Sequence, residues 1–305
     1  MPLNIKTNLP AKKLLLEQEN IFVMDELRAN SQDIRPLEIV ILNLMPIKED
    51  TELELLRMLS NSPLQANVIL LRIKSHVSKN TEQSHLNEHY VIFDDIKHKK
   101  FDGLIITGAP VEHLDFDEVS YIDELREIME WSKSNVFSTF HICYGAMLGL
   151  NYHYGIRKVA LSTKLSGVYE HTATTKMEPL LRGLDDVFLA PHSRNSSIDE
   201  EQLKNCAELD ILATSKMAGS YIIANKNRRQ VFVLGHPEYS RLTLENEYKR
   251  DLAKGLNPTI PYNYYKDDNP ENEPLLTWRA AANCVYTNWL NYYVYQTTLY
   301  DIENL

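Results

Sequence analysis

Val136-Phe137-Ser138-Thr139-Phe140-His141-Ile142-Cys143-Tyr144-Gly145-Ala146-Met147-Leu148-Gly149-Leu150 holds the sharpest change of pattern in the chain. The run from Val136 to Ile142 reads as a buried strand and stops at Cys143, after which Tyr144 to Leu150 reads as the first turns of a helix. A strand-turn-helix corner lifts its corner side chain clear of both elements and turns the first free N–H groups of the helix towards it. A thiol there gains a stabilised thiolate. It also finds donors for an oxyanion, the backbone N–H of Tyr144 first among them. Gly145 is expected to let a substrate carbonyl approach the backbone. The competing reading of Cys143 is a small buried core residue, which is the common state of a free cysteine.

Outward from this corner, Ile39-Val40-Ile41-Leu42-Asn43-Leu44 is a strand apolar on both faces, as a doubly covered parallel sheet requires. Beyond Met45-Pro46 the period becomes helical, with Leu53, Leu56 and Leu59 behind the acidic start Glu49-Asp50. Further strands are expected at Val68 to Ile73 and Phe101 to Gly108, and a helix at Glu124 to Ser132. Alternating strands and helices imply right-handed crossovers and an α/β fold, a mostly parallel sheet flanked by helices, whose ligands bind beyond the carboxyl ends of the strands. Short strands at Val187–Ala190, Ile211–Ala213, Tyr221–Ala224 and Val231–Leu234 follow. Residues 1–35 are polar and mixed, with an amphipathic stretch from Ala11 to Glu19, and are expected to form an arm on a single domain spanning 36–305.

The strand Val231 to Leu234 runs into Gly235-His236-Pro237-Glu238-Tyr239. This puts a histidine and a carboxylate past a strand's carboxyl end, on the edge where Cys143 is expected. Pro237 keeps the segment extended, with His236 and Glu238 on one side. An imidazole within reach of the thiol can take its proton, and a carboxylate on the other ring nitrogen fixes the tautomer. The competing reading of His236 is a hydrogen-bonded structural histidine.

Composition bounds the partners. The 305 residues are 44% hydrophobic and 24% charged, the balance of a globular protein with ample core. No apolar run approaches membrane-spanning length, and Met1-Pro2-Leu3-Asn4-Ile5-Lys6 lacks a signal-peptide core, so a cytoplasmic protein is expected. Cys143, Cys206 and Cys284 are an odd, widely spaced set, which suits a reducing compartment. A net charge of −10 argues against nonspecific nucleic-acid binding. All ten glycines fall between Gly103 and Gly255, which confines special turns to the middle of the chain.

The stretches read so far resemble the homoserine O-acyltransferases of methionine biosynthesis, themselves similar to class I glutamine amidotransferases in fold and triad. The likeness runs from Ile39–Pro46 through Thr107-Gly108-Ala109-Pro110-Val111-Glu112, His141-Ile142-Cys143 and Lys164-Leu165-Ser166-Gly167-Val168-Tyr169-Glu170-His171. It continues through Ala190-Pro191-His192-Ser193-Arg194, Gly235–Tyr239, Arg250-Asp251 and Asn288-Trp289-Leu290-Asn291-Tyr292-Tyr293-Val294-Tyr295-Gln296. It implies a flavodoxin-like fold, with Cys143 as acyl nucleophile, His236 as general base and acid, and Glu238 as its orienter. It also implies substrate-pocket roles for Lys164 and Ser193 and a place beside the reacting centre for Lys48. Arg250 would grip an amino-acid carboxylate with two parallel hydrogen bonds. Homodimerisation is implied by the family alone.

In this family the position of Glu112 is associated with the choice between acetyl and succinyl coenzyme A. A glutamate there opposes the distal carboxylate of a succinyl group, so acetyl-CoA is the expected donor. The expected reaction is ping-pong. His236 deprotonates Cys143, the thiolate takes the acetyl group while backbone N–H groups of Tyr144 and of the Lys48 loop hold the oxyanion, and the hydroxyl of L-homoserine then collects it. Neither step needs a metal or a resident cofactor. Lys97-His98-Lys99-Lys100 is a weaker feature that would attract a coenzyme A phosphate but reads equally as solvated charge.

Two departures from the family pattern stand out: Tyr144 where many members have tryptophan, and Trp278-Arg279-Ala280-Ala281-Ala282-Asn283 where Trp-Arg-Ser-His-Gly-Asn is common. A pocket reshaped by this loss of polar groups would admit L-serine instead, one methylene shorter. Succinyl-CoA as donor, a Cys-His-Glu amidohydrolase, and a noncatalytic binding protein are the remaining alternatives.

Overall fold

A computed structural model describes residues 3–6, 8–19, 35–76, 78, 80–111, 113–175, 177–298 and 302–305. Strands β1 (Leu3–Asn4), β2 (Leu37–Leu42), β3 (Ala66–Leu71), β4 (Tyr90–Val91), β5 (Phe101–Ile106) and β6 (Val136–Ile142) form the parallel half of one sheet. Strands β7 (Lys158–Ala173), β8 (Val187–Ile198), β9 (Leu209–Ser215), β10 (Gly219–Asn225) and β11 (Gln230–Val233) form the rest. The order is β1-β3-β2-β5-β6-β11-β10-β9-β7-β8, with β4 also on β3. Strand β11 lies parallel to β6, Val233 opposite Ile142, so the two segments that follow them leave the sheet side by side. From β11 onward the pairing is antiparallel.

Both faces of the parallel half are covered, as the unbroken apolar strands require. Along β2, Ile39 and Ile41 enter one core cluster and Val40 and Leu42 the other. The first cluster is closed by helices α1 (Pro10–Glu17) and α2 (Lys48–Leu59) and, at the far end of the chain, by α9 (Arg279–Asn288). Leu86 of α3 (Gln83–His89) also enters the first cluster, and the second is closed by α4 (Phe93–Ile96) together with α5 (Ile122–Asn135). Helix α6 (Tyr144–Tyr154) contributes to both, and its residues 144–150 are all buried, so it is apolar all round. Between α6 and α9 the chain adds α7 (Glu200–Asn205) and α8 (Thr243–Ala253). Helix α1 buries Ala11 and Leu15, the amphipathic signal read at its start.

The aromatic run after α9 continues as a π-helical stretch, Trp289–Tyr295, with Trp289, Leu290, Tyr293 and Val294 buried. Trp289 covers Gly103, where a Cβ would fall 2.9 Å from its ring, and donates its indole N–H to Ser138 Oγ at 2.9 Å. The run therefore closes the core over the middle of the sheet.

The least anticipated element is β7. Its burial is interrupted by exposed residues from Val159 to Thr163, and its pairing with β8 shifts register between Ala160 and Leu165. A strand partly open to solvent needs no apolar alternation, so its polar residues give no period to read. This hairpin carries Lys164 and Ser193 to the same edge as Cys143. Strand β8 likewise extends to Ile198, well past the expected end at Ala190.

Candidate active site

Cys143 sits between β6 and α6 with φ 48° and ψ −109°, a backbone region that a non-glycine residue occupies at a cost of about 1–3 kcal/mol. The strain is held in place from both sides. The Cys143 N–H donates to the Val233 carbonyl at 2.8 Å, and its own carbonyl accepts the first bond of the helix, from Met147 at 2.9 Å. The N–H groups of Tyr144 and Gly145 lie in the first turn and have no intrahelical acceptor. Gly145 also meets a packing need that the sequence does not show. A Cβ there would lie 2.7 Å from the Thr107 carbonyl oxygen and 2.8 Å from that of Ile106, so glycine lets α6 close onto the end of β5.

His236 reaches the same point from β11. Its imidazole faces Cys143 closely enough for the sulfur to act on its charge, and its Nδ1 is 2.8 Å from Glu238 Oε1. All three residues are at most 5% exposed. Burial alone would discharge the ring, but the Cys143 sulfur and the Glu238 carboxylate outweigh it and hold the imidazole well above its ordinary pKa. Gly108, at the end of β5, packs against the pair: a Cβ there would lie 3.1 Å from the His236 ring and 3.5 Å from Cys143 Cβ. Glu238 leaves its second oxygen, Oε2, buried without a hydrogen-bond partner among the described residues. Beside it, burial and then the Glu238 charge push Glu54 of α2 up to about 7. Glu54 accepts from the Ser240 N–H at 2.8 Å and the Thr243 hydroxyl at 2.6 Å, which fastens the segment after Glu238 to α2.

A cleft of about 760 Å³ opens in front of the thiol. Cys143, His236, Tyr239, Lys164, Ser193 and Arg250 line it, with Ala109, Pro110 and His113 on one side and Leu256–Thr259 on the other. Lys164 Nζ is 3.0 Å from Asp251 Oδ2 and 3.8 Å from Glu247 Oε2. Arg250 holds the other oxygen of Asp251 at 2.8 Å through Nη2, and the Ser193 hydroxyl donates to Glu247. Burial works against the Asp251 charge, yet Lys164 and Arg250 hold its carboxyl below the usual range. Sequence reading did not single out Glu247. Its place on the Asp251 face of α8, four residues earlier, is the one signal that could have found it.

Lys48 behaves differently. It is buried, and its ammonium turns away from the cleft to the carbonyls of Asn43 at 2.7 Å and Met45 at 3.3 Å. Burial lowers its pKa to about 8, Glu52 opposing. It braces the loop after β2, whose Met45 and Pro46 do line the cleft. The N–H groups of Leu44, Met45 and Lys48 are already given to Thr107 Oγ1, Asn43 Oδ1 and Thr81 Oγ1. Those three are thus not free to hold an oxyanion.

Glu112 lies outside the described residues. Lys97–Lys100 precedes β5, at the opposite end of the sheet from Cys143, which removes it from any role beside the thiol. Ala280–Ala282 begins α9, and none of the three lines the cleft. Trp278 bears on the site indirectly, donating its indole N–H to the Tyr239 carbonyl at 3.1 Å.

A doubly covered sheet with a thiol at a strained strand-helix corner and an imidazole-carboxylate pair on the neighbouring strand end defines a class I glutamine amidotransferase-like fold. A solved glutamine amidotransferase from Thermotoga maritima superposes with a TM-score of 0.57 over 86% of this chain and all of its own, at 11% identity. The chain belongs to the family described as homoserine O-succinyltransferase, whose model matches residues 2–300, and it is an enzyme of that acyltransferase family. It is 59% identical over 303 residues to the homoserine O-acetyltransferase of Lachnospira eligens, covering 99% of this chain and 97% of that one. It is 57% identical over 305 residues to that of Methanomethylophilus alvi, covering 100% and 98%.

Proposed function

We propose that this enzyme moves an acetyl group from acetyl-CoA to the side-chain hydroxyl of L-homoserine through a thioester at Cys143, a step of methionine biosynthesis. The observation that carries the proposal is the Cys143-His236-Glu238 row opening onto a cleft whose far wall bears paired cations and carboxylates.

His236 takes the thiol proton, and the sulfur attacks the acetyl carbonyl of the donor. The N–H groups of Tyr144 and Gly145 receive the oxyanion, and coenzyme A leaves as its thiol with the proton that His236 returns. The amino-acid acceptor then binds with its carboxylate on Arg250 and Lys164 and its ammonium on Glu247, displacing part of the ion network. Its hydroxyl gives a proton to His236 and attacks the thioester. The C–S bond breaks, the ester departs and the Cys143 sulfur is restored. The chemistry asks for acyl-CoA as co-substrate and for no resident cofactor.

Acetyl is favoured over succinyl because Glu112 stands in sequence between the cleft residues Pro110 and His113, at the position that the family resemblance associates with donor choice. Two like charges in a partly dry pocket repel by several kcal/mol. L-Homoserine is favoured over L-serine because the departing stretch Ala280–Ala282 does not line the cleft.

Acetyl-CoA and succinyl-CoA offered in parallel with L-homoserine and L-serine, with thiol release followed, test the reading. The acetyl-homoserine pair is expected to lead. A lead for succinyl-CoA overturns the Glu112 argument, and a lead for serine replaces the acceptor. Ammonia released from glutamine would reassign the site to a hydrolase.

A further inference from the structure

Tyr239 follows Glu238 directly and is 2% exposed. Its ring lies on the His236 imidazole, centroids 4.1 Å apart and planes 18° from parallel. Its hydroxyl donates to Glu247 Oε1 at 2.9 Å, while Glu247 Oε2 takes the Ser193 hydroxyl and faces Lys164 at 3.8 Å. Trp278 holds the Tyr239 backbone carbonyl from below at 3.1 Å. The tyrosine therefore spans the interval between the imidazole and the carboxylate assigned to the acceptor's ammonium. Burial, with the Glu247 charge next, keeps its phenol protonated and hence a donor.

In the resting enzyme three groups orient the imidazole: the Cys143 sulfur, Glu238 and the face of Tyr239. Acylation removes one of them, since a thioester sulfur carries neither charge nor proton and is a poor partner for the ring nitrogen. The Glu238 contact is a single hydrogen bond at Nδ1, about which the ring can still swing. What then fixes the ring plane is the stacked phenol, and what fixes the phenol is Glu247.

We propose that Tyr239 is a positioning residue for the second half-reaction: anchored to Glu247, it holds His236 in the plane that accepts the proton of the incoming hydroxyl. This role rests on the reaction proposed above. Acceptor binding and base alignment then share one carboxylate, so an amino acid whose ammonium occupies Glu247 meets a base already aimed at its hydroxyl. Water, which brings no ammonium, gains nothing from the link.

The Tyr239→Phe variant keeps the stacked ring and loses only the tie to Glu247. The two half-reactions are measured separately, on variant and wild type alike. Rapid mixing with acetyl-CoA alone gives the thiol-release burst, and L-homoserine added to the isolated acyl-enzyme gives ester formation. The second half-reaction is expected to slow by about tenfold or more relative to the first. Slowing of the second half by less than about tenfold relative to the first overturns the role, since a merely structural tyrosine would affect both steps alike. A burst in the variant also shows that it has folded; a variant without one is replaced by Glu247→Gln, read against the same ratio with L-homoserine saturating, so that weaker acceptor binding does not enter the rate. A wild-type chain that takes no acetyl group overturns the reaction itself. Equal slowing in a chain that does acylate overturns Tyr239 alone.

Discussion

The cleft has two walls built on opposite principles. The wall that bears Cys143, the proposed nucleophile, is dry: Cys143 and His236 emerge from parallel strands buried on both faces, and a strained backbone is locked by main-chain bonds. The acceptor wall is an ion network, Lys164, Glu247, Arg250 and Asp251, carried on an antiparallel hairpin and a helix that are half open to solvent. In the proposed reaction, one wall is preorganised for a step common to any acyl group. The other is a set of exchangeable ion pairs, suited to a zwitterionic ligand that must enter and leave. The difference separates chemistry from recognition, and each half can be broken without the other.

The largest expected effect lies on the dry wall. Cys143→Ala should lower turnover by at least about a thousandfold while leaving the thermal midpoint close to wild type, because the residue contributes a nucleophile and little volume. Steady-state thiol release and a melting curve check both halves of that statement.

Next is the buried carboxyl behind Glu238. Glu54 is raised from 4.5 to about 7, chiefly by burial, so below 4.5 it is protonated in folded and unfolded chains alike, and between 4.5 and 7 the folded chain holds the extra proton. A raised carboxyl contributes stability that is present below pH 4.5 and lost as pH rises through 7. Urea unfolding of wild type and Glu54→Gln at pH values on either side of this window should show the wild type losing up to about 3 kcal/mol relative to the variant. A constant difference would mean that the wall is less dry than its burial implies.

On the wet wall the effects shrink. Arg250 is 49% exposed and already paired, so Arg250→Gln should raise the KM for L-homoserine roughly tenfold, about 1.4 kcal/mol, with the acetyl-CoA burst little altered. An equal loss in the burst would erase the distinction between the walls. Smallest of all, Lys97→Ala combined with Lys100→Ala should change the KM for acetyl-CoA by less than about twofold, because both lie at the far end of the sheet.

The same contrast explains what could be read from the residues alone. Strand β6 is expected and found at Val136–Ile142, because a doubly buried strand must be continuously apolar and its end is marked by the change of period. His236 and Glu238 were legible for the same reason, as polar residues just past an apolar run. Strand β7 was not, since exposure on one face removes the pattern, and Lys164 was placed only through the family resemblance. Glu247 gave only its four-residue spacing from Asp251, because a carboxylate on a helix face is ordinary until its neighbours in space are known. Lys48 shows the limit from the other side. The sequence places it near the site, but only the fold turns its ammonium towards Asn43 and Met45, where it braces a loop. Gly145 shows the same limit, its glycine being required by the carbonyls of Ile106 and Thr107.

Intact-mass measurement of the chain after exposure to acetyl-CoA without acceptor addresses the proposed thioester most directly. One acetyl group on Cys143, discharged when L-homoserine is added, is the predicted result. A chain that forms ester from both substrates together while never carrying an acetyl group on its own would contradict the account.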